Sequence, residues 1–269
     1  MRIHLFTTHP SAFALLEHLH DHERVDTVIV PENRADSEKV SAVRNEASRL
    51  GLRVYEHPRG ALLPDLLPEA DAAISWLYSQ IIAAPDLKRY PAGMLNMHGG
   101  RIPEYRGAHV LQWQIINGER ELGVTWHEIV EAVDAGAIWA ESSVPIPEAA
   151  TAADMREIMI DEGVRLFPQA WTRARDGGLP VRRPDLSAGR TWPQRKASDG
   201  VIEPGMTARQ LRDLVRALCP PWPPATIEHD GRRYNVGQVC ELAAADCVPY
   251  ATAEGSILYL RAIPADSSC

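Results

Sequence analysis

Glycine-rich phosphate loops are missing from this 269-residue chain. Neither G-x-G-x-x-G nor G-x-x-x-x-G-K-[ST] occurs, and the first strand–helix turn reads Thr7-Thr8-His9-Pro10 instead. A bound dinucleotide or nucleoside triphosphate is therefore not expected. Cysteine is scarce. Cys219, Cys240, Cys247 and Cys269 all fall in the last 51 residues, at spacings that match no zinc pattern, and read as free thiols in a reducing cytoplasm. Positive charge is not in excess. Residues 1–180 hold 17 Lys and Arg against 26 Asp and Glu, and residues 181–269 hold 11 against 10. Neither part has the basic footprint of a nucleic-acid binder. No apolar run is long enough to span a bilayer. The opening Met1-Arg2-Ile3-His4-Leu5-Phe6 runs straight into a candidate strand without signal-peptide architecture, so a cytoplasmic location is expected. His98, His109, His127 and Asp134 are metal-capable, but no His pair stands at i, i+4 with an acid and no Cys joins them. No metal is expected.

What is present is an alternation of apolar strands and amphipathic helices. Ile3–Thr7, Val25–Val30, Val54–Glu56, Ala72–Leu77 and Met94–Met97 read as strands. Ser11 is placed to cap a helix bearing Phe13, Leu16 and Leu19. A second helix carries Val40, Val43, Ala47 and Leu50 on one side and stops at Gly51. This rhythm predicts an α/β fold: a Rossmann-like, mostly parallel sheet with helices on both faces. Gly123–Val130 and Ala137–Val144 read as two further strands, and Thr151 opens a long helix ended by Gly177-Gly178. Residues 1–180 are expected to form this first domain. Residues 181–198, in a Pro-, Arg- and Ser-rich stretch, read as a linker. Residues 199–269 read as a small β-rich, OB-like domain. In it Thr207 and Gln210 box the start of a helix, and Asp230-Gly231 turns a hairpin.

Asn96-Met97-His98-Gly99-Gly100 carries the most chemistry. Asn96 and His98 leave one face of a strand, because side chains alternate along it. They sit at its carboxyl end, where open parallel sheets bind ligands. Asp134 follows in Asp134-Ala135-Gly136-Ala137-Ile138. An amide donor, an imidazole near neutrality and a carboxylate are the parts needed to move an acyl-type group onto a nucleophile. Arg101, Tyr105, Arg106 and His109 form either a solvated loop or an anchor for an anionic part of a substrate. Thr125 and His127, in Val124-Thr125-Trp126-His127, are further candidates for lining the site, and His127 fits a structural role equally well.

Asn96-Met97-His98 followed by Arg101-Ile102-Pro103-Glu104-Tyr105-Arg106-Gly107 resembles the N-x-H…L-P-x-Y-R-G signature of the formyltetrahydrofolate-dependent formyltransferases. The spacing to Gly123-Val124-Thr125 and to Asp134–Ile138 fits too. Leu214–Leu218, Pro221-Trp222-Pro223 and Arg195–Ile202 are similar to the C-terminal part of the sugar N-formyltransferases, in particular the formyltransferase part of the aminoarabinose–lipid A enzyme. Gly100 departs from a usual Ser, Pro204 from a common Trp, and Pro224 from Gly.

The resemblance implies N10-formyltetrahydrofolate as formyl donor and Asn96, His98 and Asp134 as the catalytic trio. It also implies a pterin site along Ser75–Ile82 and the Asp134 loop, with Trp76, Leu77, Tyr78, Ile81, Ile82, Ala135 and Gly136. Arg101, Tyr105, Arg106, Thr125 and His127 would meet the amine acceptor. The acceptor expected first is a nucleotide-linked amino sugar. An amino-acid-derived amine and methionyl-tRNA are the alternatives, beside formyl-folate hydrolysis and a silent folate-binding scaffold. Neither nucleic acid nor membrane is expected as a partner, and a homodimer is left open.

Overall fold

The computed structural model describes residues 1–34, 37–244 and 246–264. Cys269 lies outside the described residues. In chain order the elements begin with β1 (Arg2–Thr7), β2 (Arg24–Pro31), α1 (Glu38–Arg49), β3 (Arg53–His57), β4 (Ala72–Trp76), α2 (Ala84–Leu87), β5 (Met94–His98) and β6 (Tyr105–Gly107). They continue with α3 (Val110–Ile116), β7 (Glu121–Glu128), β8 (Ile138–Pro145), α4 (Ala152–Arg175), β9 (Arg190–Trp192) and α5 (Ala208–Ala217). The last four are β10 (Ala225–His229), β11 (Arg232–Cys240), β12 (Cys247–Ala251) and β13 (Ile257–Pro264). No described helix is long and apolar enough to cross a membrane.

Two compact units divide the chain. The first comprises Met1–Arg106, Gly123–Ser142 and Ile160–Arg190. Its seven-stranded sheet has the order β3-β2-β1-β4-β5-β7-β8. The pairs β1–β2, β2–β3, β1–β4 and β4–β5 are parallel, and β5–β7 is antiparallel. This is the Rossmann-like layout read from the sequence. All five residues of β4 are buried, as expected for a strand covered on both faces. An aromatic column runs through the core: Trp76 stacks on Trp126 at 5.7 Å, Trp126 meets Phe167 at 5.1 Å, and Phe167 meets Trp171 at 5.8 Å. The indole N–H of Trp126 donates to the Gly163 carbonyl at 2.8 Å, so the buried ring keeps a polar partner.

The element after β1 differs from its expected form. It is a 3-10 helix, Pro10–His18, and its N-cap is His9 rather than Ser11. Nδ1 of His9 accepts from the Ser11 backbone N–H, doing the work that the Ser11 hydroxyl was expected to do two residues on. α4 has the reciprocal box expected at its start: Asp154 accepts from the Thr151 N–H, and Thr151 accepts from the Asp154 N–H.

The second unit comprises Gly107–Leu122, Ser143–Met159 and Thr191–Cys269. Residues 107–122 and 143–159 precede the 181–198 stretch in sequence and still group here, because packing rather than chain order makes the division. Its four-stranded antiparallel sheet has the order β10-β11-β13-β12. The turn between β10 and β11 places Asp230 at φ 50 and Gly231 at φ 72, as a two-residue hairpin demands. Thr207 and Gln210 form the expected capping box of α5, whose Leu211, Leu214 and Val215 are buried. α3 packs against α5. Neither α3 nor β12 was legible in the sequence pattern.

Candidate active site

β5 ends in the polar pair Asn96 and His98, and β7 runs beside it in antiparallel register. Asn96 pairs with His127 and His98 with Thr125. Directly opposed residues on antiparallel strands share a face, so four polar side chains are gathered by register alone. The β7–β8 connection then brings in Asp134, held in the left-handed region at φ 47, which Asp tolerates better than most residues. Gly136 lets the loop fold tightly against β7: a Cβ there would stand 1.9 Å from the Glu128 carbonyl oxygen.

The distances define one cluster. Asp134 Oδ2 lies 3.5 Å from His98 Nδ1, and Asp134 Oδ1 lies 3.3 Å from His127 Nε2. Asn96 Nδ2 lies 3.1 Å from His127 Nε2. His98 Nε2 donates to the Tyr105 carbonyl at 2.6 Å, and His127 Nδ1 donates to the Glu128 carbonyl at 2.8 Å. A carbonyl only accepts, so each of these remote ring nitrogens carries hydrogen. His98 is 7% exposed and His127 1%. Among the described residues, no group of three or more His, Cys, Asp and Glu side chains is arranged to hold a metal ion.

Gly100 has a local reason. A Cβ there would stand 2.5 Å from the Tyr105 carbonyl oxygen and 2.8 Å from His98 Nε2, in the middle of the bond that orients the imidazole. The sequence marked Gly100 as a departure, and the geometry makes it a requirement of this turn.

The remaining candidates divide. Thr125 is buried, and its hydroxyl donates to the Gly100 carbonyl at 2.9 Å. In this way it braces the turn behind His98. Tyr105 is buried and contributes its carbonyl to His98. Arg101 is ion-paired with Glu104 at 4.0 Å. Arg106 donates to the carbonyls of Pro103 and Leu186, anchoring the loop. In the second unit, His109 occupies the left-handed region at φ 55 and accepts from the Arg195 backbone N–H. Burial, and then Arg195, hold its imidazole below the usual pKa.

Around the loop after β4, Trp76 is 0% exposed, its ring in the aromatic column and its N–H on Ser11 at 2.9 Å. Ile82 belongs to a core cluster with Phe6, Ile29 and Tyr90. Both side chains are buried in the core, as an apolar run at a strand end serves the interior first. Tyr78 places its hydroxyl 2.8 Å from His57 Nδ1, and burial raises its pKa. Leu77 turns at φ 49, its carbonyl accepting from Thr8 at 2.5 Å. Ile81 is 81% exposed and offers open apolar surface. Ala135 and Gly136 follow Asp134 directly.

A Rossmann-like sheet here gathers an amide, two imidazoles and a carboxylate at one strand end, the kinds of group that group transfer requires. Residues 17–171 match the formyl transferase family. The chain belongs to that family. Its fold is shared with a 4-N formyltransferase from Francisella tularensis, at 19% identity and TM-score 0.73, covering 88% of this chain and 96% of that one. It is also shared with an N-formyltransferase from Helicobacter canadensis in complex with folinic acid and dTDP-3-aminofucose. That match has 17% identity and TM-score 0.75, covering 97% and 99%. HypX from Aquifex aeolicus matches at 20% identity and TM-score 0.62, over 97% of this chain and 45% of its own.

Proposed function

We propose that this enzyme transfers the formyl group of N10-formyltetrahydrofolate to a primary amine on a nucleotide-linked amino sugar, in the cytoplasm. The observation that carries the proposal is the approach of Asp134 to His98, 3.5 Å apart, with Asn96 two residues away on the same strand face. The folinic acid and dTDP-3-aminofucose bound by the Helicobacter canadensis enzyme support the donor and acceptor classes. The site residues lie within 1–180, the span we propose as the formyl-transfer domain, joined by 181–198 to the domain 199–269.

In this mechanism a neutral amine attacks the formyl carbon. The Asn96 amide N–H and the protonated His98 stabilise the negative charge that develops on the formyl oxygen. A buried, pre-aimed donor of that kind contributes about 3–4 kcal/mol to a transition state. His98 presents Nδ1 for this, since Nε2 is committed to Tyr105. Asp134 holds the imidazolium and takes up the proton that the amine must lose. The tetrahedral adduct then collapses, the formyl carbon–N10 bond breaks, and N10 leaves as tetrahydrofolate with that proton returned to it from the His98–Asp134 pair. The exposed Ile81 and the backbone of Leu77, Ala135 and Gly136 suit one flat ring of the donor, which supplies the formyl carbon.

Incubation with N10-formyltetrahydrofolate and a panel of nucleotide-linked amino sugars tests the proposal. A formyl mass gain on one panel member is the expected result. Transfer only to amino-acid amines or to methionyl-tRNA would replace the acceptor. Formate release with no acceptor would replace the reaction.

A further inference from the structure

The proposed chemistry leaves one imidazole of the cluster without a task. His127 and His98 are built alike. Each donates through its remote nitrogen to a backbone carbonyl, and each turns its other nitrogen toward one oxygen of Asp134. An ionised carboxylate facing two bare ring nitrogens is repulsive on both sides, so the three groups share a proton. Asn96 decides its place. Its amide N–H fills His127 Nε2 at 3.1 Å and leaves His98 Nδ1 and Asp134 to hold the proton.

We infer that His127 is a positioning residue that works as a neutral imidazole. By accepting from Asn96 it fixes which way the carboxamide faces, and it keeps the shared proton on the His98–Asp134 side. The inference rests on the reading that Asn96 donates to the formyl oxygen. Protonated His127 would set N–H against N–H. The carboxamide would then turn over and place its oxygen against the ring, and the donor would be lost. The titratable groups that face His127 are His98, edge-on at 6.0 Å, and Asp134.

Two measurements test this. The first needs no substrate: nitrogen-15 NMR of histidine-labelled wild-type enzyme. His127 is expected with hydrogen on Nδ1 and a bare Nε2 at pH 8, and its Nε2 signal should shift in Asn96→Ala. Hydrogen on Nε2 at that pH overturns the inference whatever the reaction is. The second compares His127→Gln with His127→Asn. Gln carries an acceptor oxygen near the place of Nε2 and does not titrate, whereas Asn reaches only the place of Nδ1. His127→Asn should lower kcat about 100-fold with KM for the donor unchanged. His127→Gln should stay within about 10-fold. Equal losses in the two variants would overturn the inference. If the variants do not fold, the wild-type tautomer decides. If wild-type enzyme formylates no amine, the functional reading fails alone and the tautomer still decides the positioning role.

Discussion

His98 gives its Nε2–H to the backbone carbonyl of Tyr105 at 2.6 Å, and this bond makes Nδ1 the nitrogen that faces Asp134. The tautomer of the central imidazole is thus set by main chain seven residues downstream. Side chains that act on a reacting carbon need this kind of second partner, because an unanchored ring samples rotamers in which neither nitrogen is aimed.

Asn96→Ala, His98→Ala and Asp134→Asn should each lower kcat by roughly 100-fold or more. Circular dichroism and melting temperature should stay close to wild type, since the three side chains form no part of the apolar core. Near-wild-type turnover in His98→Ala would remove the proposed mechanism.

Gly100→Ala tests the turn behind the imidazole. The added methyl must displace either the Tyr105 carbonyl or the His98 ring, because it would stand 2.5 and 2.8 Å from them. We expect a fall in kcat of at least about 10-fold, a size that small displacements of catalytic groups readily cause. Steady-state kinetics that match wild type would mean that the turn relaxes without moving the ring.

His4 predicts a pH dependence of stability. Its side chain is 1% exposed, Nδ1 contacts the Tyr90 hydroxyl at 3.1 Å, and Nε2 has no hydrogen-bond partner. Burial lowers its pKa from 6.5 to about 4, against a smaller opposing pull from Asp26. The unfolded chain therefore binds this proton first. The associated stability is complete above pH 6.5 and is lost as pH falls through 4, by about 3 kcal/mol at most. Urea titrations of wild type and His4→Gln between pH 7 and 4 should diverge, with the wild type losing more. Parallel curves would refute it.

Thr207→Ala removes one half of the box at the start of α5. The cost should be about 1 kcal/mol in urea unfolding, with the Gln210 N–H left to water. An unchanged midpoint would show that Gln210 alone suffices.

Much of the central sheet was legible because strands such as β4 are buried and largely apolar, and helices such as α1 and α5 bury one apolar side. The hairpin at Asp230-Gly231 and the α5 box were legible because local backbone chemistry dictates them. α3 was hidden. Val110–Ile116 is a short, largely buried helix behind a left-handed His109, so neither a cap nor a polar face announced it. The burial of Trp76 and Ile82 was not legible, because an apolar residue near a strand end looks the same in sequence whether it lines a ligand or fills the core. The bond from Thr125 was not legible because its partner, the Gly100 carbonyl, is 25 residues away.

By itself the sequence determined the strands of the parallel sheet and put Asn96 and His98 on one face of β5, because alternation along a strand is a property of the local backbone. It could not determine which nitrogen of each imidazole is occupied, what Asn96 touches, or that Asp134 divides its two oxygens between two rings. Those facts depend on the β5–β7 register and on backbone carbonyls brought close by folding. Hydrogen-bond direction is decided by distances of a few ångströms, which only the packed chain supplies.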